Sequence, residues 1–565
     1  MKTLAKAFLL ILFILFIIVS THFLMLYLDE LRADERKTYL DIKAREIVQS
    51  MSTREKIGQI IHITIPEKTL DSTARKEILS LRPGGIILFG KNLGSSEEVT
   101  ALNQSLQNLA KSEKMPPLLI STDQEGGRVF RARDGVAQYP GAMAVGQTNN
   151  AELGYEVGFV TSYDLNQIGI NFLLAPSLDI NNNPNNPVIN TRSFGSDIDR
   201  VNLVAGAYER GARKGGAIPV IKHFPGHGDT DVDSHLGLPV IRKTLAELEE
   251  LELIPFQNSI HSGAPVVMTA HILFPNIDDK YPATLSKKIL TDILRERLGF
   301  DGVIITDAME MHAISKNYDK DRPGVKALLA GVDILLLTSW GDTATSLFNS
   351  ILDADSKGEF TVDGKDRLEE AVYRQIRLKL EYGIYTDNHF TPEIENENLA
   401  NFMLEQKKKR DDDYNLIKKD KDHVFNLTKK TIRSYPNPYQ ADPNLTVSNT
   451  KAFLTIGKNQ SNWKQRQGKI LPMKSLSSEL KKSESKFILL DAVSESELKV
   501  IDTLASNYPD KQFIVLFPAS PFVVLPKRDN VNILFSFSLT DESYKALIEC
   551  IFSQEMIPKM DLVLK

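Results

Sequence analysis

Ala217-Ile218-Pro219-Val220-Ile221 runs directly into Lys222-His223-Phe224-Pro225-Gly226-His227-Gly228-Asp229-Thr230-Asp231-Val232-Asp233-Ser234-His235. The first five residues read as a short buried strand. The apolar character then stops at Lys-His, and a loop of Gly, Pro, Asp and His follows, whose glycines permit backbone angles closed to other residues. Such a strand end packs no further core layer, and its polar groups are those that move protons and hold hydroxyls. Three readings of the loop compete: a metal site, a structural loop and an acid/base loop. Metal ligation by His223, His227 and His235 with Asp231 and Asp233 suffers from the absence of an i, i+4 helical pair and from the positive charge of Lys222. For acid/base work, Asp233 and His235 lie two residues apart, so in an extended segment they point the same way. A carboxylate there would fix the imidazole tautomer and raise its basicity.

Seven further apolar runs resemble the one before Lys222. With it, the strand candidates are Ile57–Ile65, Gly85–Phe89, Pro117–Thr122, Ile170–Leu174, Ile218–Ile221, Pro265–Thr269, Val303–Thr306 and Ile334–Leu337. Most are continuous rather than alternating, as expected of parallel strands covered on both faces. Helical patterns separate them, among them Ser96–Lys111, Asn150–Ile168, Arg200–Lys214, Thr244–Ser262 and Ser286–Leu298. Eight strand–helix units predict a (β/α)₈ barrel, with function gathered where the strands end.

Polar residues do collect there. Asp123 follows the third strand, Asp179 the fourth, Lys222-His223 the fifth, Thr269-Ala270-His271 the sixth and Asp307 the seventh. One Asp after a strand is usually a helix cap. However, Ala308-Met309-Glu310-Met311 reads as a loop rather than a helix start. A carboxylate at the barrel mouth facing a histidine-bearing loop has the makings of a nucleophile and general-acid pair.

The 565 residues exceed what one core supports. A net charge of -5 gives no basic footprint, so no nucleic-acid partner is expected. Cys550 is the lone cysteine, which precludes an internal disulfide and a cysteine metal site. Lys2 and Lys6 flank an apolar run from Ala7 to Leu28, long enough as a helix to cover the roughly 30 Å bilayer core. With no small-x-small cleavage site near its end, it reads as an uncleaved single-pass anchor, a cleaved signal being the alternative. Asp29–Ser50 is helical in pattern. After a helix at Leu368–Tyr382 comes a charged connection, Thr391–His423, read as a solvated helix or linker. Ala452–Ile456, Phe487–Leu490, Phe513–Phe517 and Ile533–Phe537 then read as strands, with helices at Ser494–Ser506 and Glu542–Ser553, giving a smaller open-sheet α/β domain. The expected organisation is an anchor over 1–28, the barrel over 29–390, a linker over 391–423 and the second domain over 424–565.

Lys222 to His235 resembles the signature of the β-N-acetylglucosaminidases of glycoside hydrolase family 3: Lys-His, a hydrophobic residue, Pro-Gly-His-Gly, a spacer, then Asp-Ser/Thr-His. The resemblance continues through Asp123-Gln124-Glu125-Gly126-Gly127-Arg128, Asn186-Pro187-Val188-Ile189 with Arg192-Ser193-Phe194-Gly195, Met268-Thr269-Ala270-His271, Pro282-Ala283-Thr284-Leu285-Ser286 and Ile304-Ile305-Thr306-Asp307-Ala308-Met309. It implies a retaining exo-β-N-acetylglucosaminidase that removes terminal β-linked N-acetylglucosamine from cell-wall fragments or aminosugar oligomers. In that reading Asp307 is the nucleophile, His235 held by Asp233 is the acid and base, and Asp123, Arg131, Arg192, Lys222 and His223 bind the sugar. His227 and His271 are expected to support them from behind. No cofactor or metal is implied. The partners are a carbohydrate substrate and, through the N-terminal helix, the cytoplasmic membrane, with the barrel on its outer side. The same residues leave open a phosphorylase, since a histidine acid/base does not repel phosphate, and an inactive membrane-tethered glycan-binding protein.

Overall fold

The computed structural model describes residues 31–385 apart from 235, 319–321 and 363, the segment 397–418, and much of 422–560, where 436–449, 455–468 and 471–479 are the longest stretches outside it; upstream it describes Thr21, Leu24 and Tyr27. Eight parallel strands form the first sheet: β1 Ile61–Thr64, β2 Gly85–Ile87, β3 Leu119–Thr122, β4 Phe172–Leu173, β5 Ile218–Phe224, β6 Val266–Thr269, β7 Val303–Ile305 and β8 Leu335–Leu336. They follow one another in sequence order, with β8 beside β1. A single parallel bridge from Ile305 to Ile334 links β7 to β8, so the sheet curls into a nearly closed barrel. Inward-facing Phe172, Leu174, Val220, Val266, Met268, Val303, Ile305 and Leu336 fill its centre, and a larger apolar layer joins the outer strand faces to the helices. Both faces are therefore buried, which is why the strands read as continuous apolar runs.

Three boundaries differ from the sequence reading for identifiable reasons. Thr53–Gln59 is helix rather than the start of the first strand, because Ser52 and Glu55 form a capping box there. The fifth strand continues through Lys222 and His223 to Phe224, so these residues stand on the strand end itself. The expected helix over Thr244–Ser262 is two, Leu245–Glu250 and Leu253–His261. Pro255 lacks the N–H that would bond the Leu251 carbonyl, and its ring crowds that carbonyl.

The helix Arg367–Glu381 seals the bottom of the barrel: Gln375 Nε2 donates to the Asp333 carbonyl (2.9 Å) and Lys379 Nζ to the Gly84 carbonyl (3.0 Å). The helix over 31–50 packs on it, with Asp41 accepting from Arg377 Nε (2.6 Å) and Tyr373 (2.9 Å). The charged connection contains a helix, Glu397–Ile417, that is docked rather than simply solvated. Tyr414 donates to Asp164 Oδ1 (2.7 Å), Tyr163 to Asp411 Oδ1 (2.9 Å), and the two rings stack at 3.9 Å.

The second sheet has six strands in the order Arg433–Tyr435, Val531–Phe535, Gln512–Phe517, Phe487–Asp491, Thr450–Leu454, Lys469–Ile470, all parallel save the first. The edge strands Arg433–Tyr435 and Lys469–Ile470 were not among the expected ones; runs of three and two residues carry too little pattern. This sheet meets the barrel through Met143 and Ala144, which join its apolar core. Among the described residues no helix is long and apolar enough to cross a membrane. The anchor expected over Ala7–Leu28 lies outside the described residues except at Thr21, Leu24 and Tyr27.

Candidate active site

A cavity of about 410 Å³ opens at the C-terminal ends of the strands, lined by Asp123, Arg128, Arg131, Arg192, Lys222, His223, His227, Asp233, Ser234 and Asp307, with Phe89, Val129, Val188, Met268 and Met311 as its apolar walls. Six of the eight residues expected from sequence to act on the sugar or its bond meet in this space as strand-end or loop groups: Asp123, Arg131, Arg192, Lys222, His223 and Asp307. Asp233 joins them from the loop. His235 lies outside the described residues.

Asp307 follows β7 and caps no helix, since the next one starts at His312. Its Oδ1 instead accepts the N–H of Ala308 (2.7 Å). Burial alone would raise its pKa; His223, His271, the Ala308 N–H and Lys222 together hold it below the usual carboxylate value. The group therefore faces the cavity as an anion at neutral pH. His271 stands behind it: Nδ1 lies 2.7 Å from Thr284 Oγ1 and Nε2 donates to the Ala308 carbonyl (3.0 Å). It thus contacts the backbone beside Asp307 rather than lining the cavity.

The cationic side of the site is built on two carboxylates. Lys222, 1% exposed, donates to Asp123 Oδ1 (2.9 Å) and pairs with Glu125 Oε1 (2.7 Å). Arg192 grips Glu125 in a two-pronged bond, Nε to Oε2 and Nη2 to Oε1, both 2.8 Å. Burial opposes ionisation of Glu125, yet Arg192 and then Lys222 drive its pKa far down. In return, against the same desolvation, Glu125 raises Arg192, and Asp123 with Glu125 raises Lys222. Both cations stay charged at a depth where an unpaired ammonium would shed its proton. Asp179 anchors the two histidines of the strand end and loop. Its Oδ2 lies 2.7 Å from His223 Nδ1, and its Oδ1 accepts the backbone N–H of His227 (2.7 Å). Burial would raise it, but His223 foremost brings it to about 2. Sequence reasoning located Glu125 and Asp179 near strand ends without giving either a role; the available signal was a carboxylate next to a buried strand with no helix to cap.

In the loop after β5, Leu236 N (2.9 Å) and Gly237 N (3.0 Å) both donate to the Asp233 carbonyl, which closes a turn. Asp233 starts that turn at the cavity edge, facing Arg128, whose charge it supports. His227 is buried inside the loop, with Nδ1 3.0 Å from Thr230 Oγ1 and Nε2 3.1 Å from Ser234 Oγ. Among the described residues no cluster of His, Cys, Asp and Glu has a geometry suited to a metal ion.

Residues 52–378 match the model of the glycosyl hydrolase family 3 N-terminal domain. A protein named β-hexosaminidase A from Pseudoalteromonas piscicida is 37% identical over 291 residues, 48% of this chain and 48% of that one, so the match spans about half of that relative's length. A β-hexosaminidase from Methylobacillus flagellatus is 34% identical over 274 residues, 47% of this chain and 77% of its own. Among solved structures, a glycoside hydrolase family 3 β-N-acetylglucosaminidase from Paenibacillus sp. str. FPU-7 is similar with a TM-score of 0.76 and 29% identity, over 91% of this chain and 99% of that one.

Proposed function

The chain belongs to glycoside hydrolase family 3, and from that premise we propose that it is a retaining exo-β-N-acetylglucosaminidase acting on terminal β-linked N-acetylglucosamine. The observation that carries the reading is Asp307: an anion at the cavity wall, held low by the surrounding cations and imidazoles. Its carboxylate attacks the anomeric carbon and forms a glycosyl-enzyme while the departing oxygen takes a proton from His235. Water then attacks the same carbon, gives its proton to His235 and releases Asp307. Asp233 orients the imidazole. Asp123, Arg131, Arg192, Lys222 and His223 bind the sugar hydroxyls, and the charged pairs that hold these groups in place reduce the reorganisation needed when substrate arrives.

For substrate source, we propose cell-wall fragments met outside the cytoplasmic membrane, with Ala7–Leu28 as the anchor. The helix over 31–50 packs beneath the sealed end of the barrel. An anchor upstream of it would leave the cavity directed away from the bilayer. Washing membranes with carbonate, which strips peripheral proteins, should leave the full chain in the pellet and release a chain starting at Asp29.

The decisive experiment is hydrolysis of 4-nitrophenyl β-N-acetylglucosaminide by the protein and its Asp307→Ala variant, with and without phosphate. Free N-acetylglucosamine from the parent and a loss of roughly 10⁴-fold in the variant is expected. Sugar phosphate as product would make the protein a phosphorylase. Inactivity of a folded parent would leave a glycan-binding role.

A further inference from the structure

The short helix Ala142–Gly146 is buried along its whole length. It belongs to the barrel by sequence, yet its middle and both its ends are held by the second domain. Met143 and Ala144 sit in one apolar cluster with Ile488, Val515, Phe535 and Phe537. The first three of these partners come from one face of the six-stranded sheet. The alternate residues Leu489, Ile514, Leu516 and Leu534 face the other way, into a separate cluster with the helix Asp541–Ile551. At the helix start, the Phe537 carbonyl oxygen stands 3.7 Å from where a Cβ on Gly141 would lie. At its end, Arg433 Nη2 donates to the Gln147 carbonyl, while Nη1 donates to the carbonyls of Lys430 (2.9 Å) and Ile432 (2.8 Å).

Two close backbone approaches lead from this helix toward the cavity. Gly141, its N-cap, lies against Gly127: a Cβ on Gly127 would come within 2.8 Å of the Gly141 Cα, and one on Gly141 within 3.1 Å of the Gly127 Cα. Gly127, at a φ of +58°, turns the hairpin over 124–130 and is followed by Arg128. Arg128 and Arg131 both line the cavity. Gln124 Oε1 ties the hairpin together by accepting the N–H groups of Arg131 (2.9 Å) and Ala132 (3.0 Å). At the other end of the helix, a Cβ on Gly146 would come within 1.7 Å of the Phe194 carbonyl oxygen, two residues past Arg192. Neither approach has room for a methyl group, so a shift of the helix is passed on to both segments.

We propose that the helix Ala142–Gly146 carries the second domain's hold to the cavity, with Met143 and Arg433 as positioning residues for Arg128, Arg131 and Arg192. Among the described residues the cavity lining comes wholly from the barrel, between Ile87 and Thr338, so the second domain acts on it from behind. That Arg131 and Arg192 hold the sugar rests on the function proposed above; the mechanical coupling stands without it. Asp307 follows β7, which neither approach touches. Loosening the helix therefore weakens the grip on the sugar more than the chemical step, and KM responds rather than kcat.

The test uses the full chain with Met143→Ala, Met143→Leu, Arg433→Met and Leu547→Ala. Leu547 is as buried as Met143 but belongs to the cluster on the far face of the sheet. kcat and KM are measured on 4-nitrophenyl β-N-acetylglucosaminide, and backbone hydrogen exchange is followed over 126–131 and 190–195. Met143→Ala is expected to raise KM about three- to tenfold with kcat within about twofold. Arg433→Met should give the same split, and it decides the matter alone if Met143→Ala does not fold. Met143→Leu, which keeps the volume, should stay within about twofold of the parent on both constants. Exchange should quicken over both segments in Met143→Ala and Arg433→Met and stay unchanged in Leu547→Ala. A KM rise in Leu547→Ala equal to that in Met143→Ala would reduce the effect to a general loss of stability and overturn the coupling. Unchanged exchange over both segments in Met143→Ala and Arg433→Met would overturn it too. If the parent did not cleave the substrate, the glycosidase reading would fail, and the exchange contrast would still decide the coupling.

Discussion

Lys222 and Lys379 occupy opposite ends of the same barrel at the same depth, each 1% exposed or less, and their surroundings treat them in opposite ways. At the mouth, Lys222 meets two carboxylates, Asp123 and Glu125, and its pKa rises despite burial. At the sealed end, Lys379 meets only neutral oxygens, Gln59 Oε1 (2.9 Å) and the Gly84 carbonyl (3.0 Å), and burial lowers its pKa to about 7. Carbonyl dipoles alone do not compensate the loss of water around an ammonium, whereas a carboxylate does. His62, beside Lys379, shares its condition: burial and then the lysine lower it to about 3. Permanent charge is thus built into the end of the barrel that holds the cavity and is merely tolerated at the other.

The sharpest way to break this contrast is to remove each amine in turn. Lys222→Met should lower kcat/KM on 4-nitrophenyl β-N-acetylglucosaminide by about 10²–10³-fold, the scale of losing one preorganised donor. Lys379→Met should leave it within about twofold, since nothing it touches lines the cavity. Similar losses in both variants would mean that the two ends are coupled and that the mouth is not special.

Glu125→Gln probes the same contrast from the anionic side and should have a smaller effect on turnover. Arg192 and Lys222 would then face each other with only Asp123 between them, and KM should rise about tenfold more than kcat falls. Stability should drop by about 3–5 kcal/mol, because two buried cations lose their shared counter-charge. The pH dependence has a definite sign. Glu125 is held far below the ordinary carboxylate value, so its stabilisation is complete above the unfolded pKa near 4.5 and is lost only as pH falls below that toward the folded value. Urea unfolding at pH 7 and pH 3.5 should therefore separate parent from variant more at pH 7. A gap that widened on acidification would refute the pairing.

Why was the mouth legible in the sequence and the sealed end not? Every one of the eight barrel strands showed as an apolar run, because both of its faces are buried. Polar residues interrupting such runs at their ends, such as Lys222-His223 and Asp307, have no structural reason to be there. Lys379 sits in Leu378-Lys379-Leu380 within a helix of alternating charge, where a lysine ordinarily marks the solvent face. Nothing local reveals that this helix is laid across the barrel, because its partners Gln59 and Gly84 are some three hundred residues away. Glu125 was hidden for a related reason: its importance lies in contacts to Arg192, on a 3-10 turn at Asn190–Arg192, and to Lys222 on β5. The turn closed on the Asp233 carbonyl escaped because residue spacing alone carries no mark of a backbone hydrogen bond.

The least dramatic change sharpens the comparison most. Lys379→Met should stabilise the protein at pH 6.5 by about 1–3 kcal/mol and have almost no effect at pH 10. In the folded chain the amine titrates at about 7, against the ordinary 10.5 when unfolded. Between those values the unfolded chain binds the proton more strongly, so parental stability rises with pH across this window, and the full cost of the charge is present below it. Methionine removes that cost at every pH. Two local terms bound the gain. The Gly84 carbonyl keeps the N–H of Leu119 (3.0 Å) and stays satisfied, whereas Gln59 Oε1 loses the amine donor and subtracts part of the benefit. His62 does not blur the window, because its titration at about 3 when folded, against 6.5 unfolded, lies below it. Urea unfolding of parent and variant at half-unit steps from pH 6.5 to 10 should show the two stabilities converging as pH rises. A difference that stays constant with pH would mean that Lys379 is neutral throughout or charged throughout, and the two ends of the barrel would then differ only in what their lysines touch.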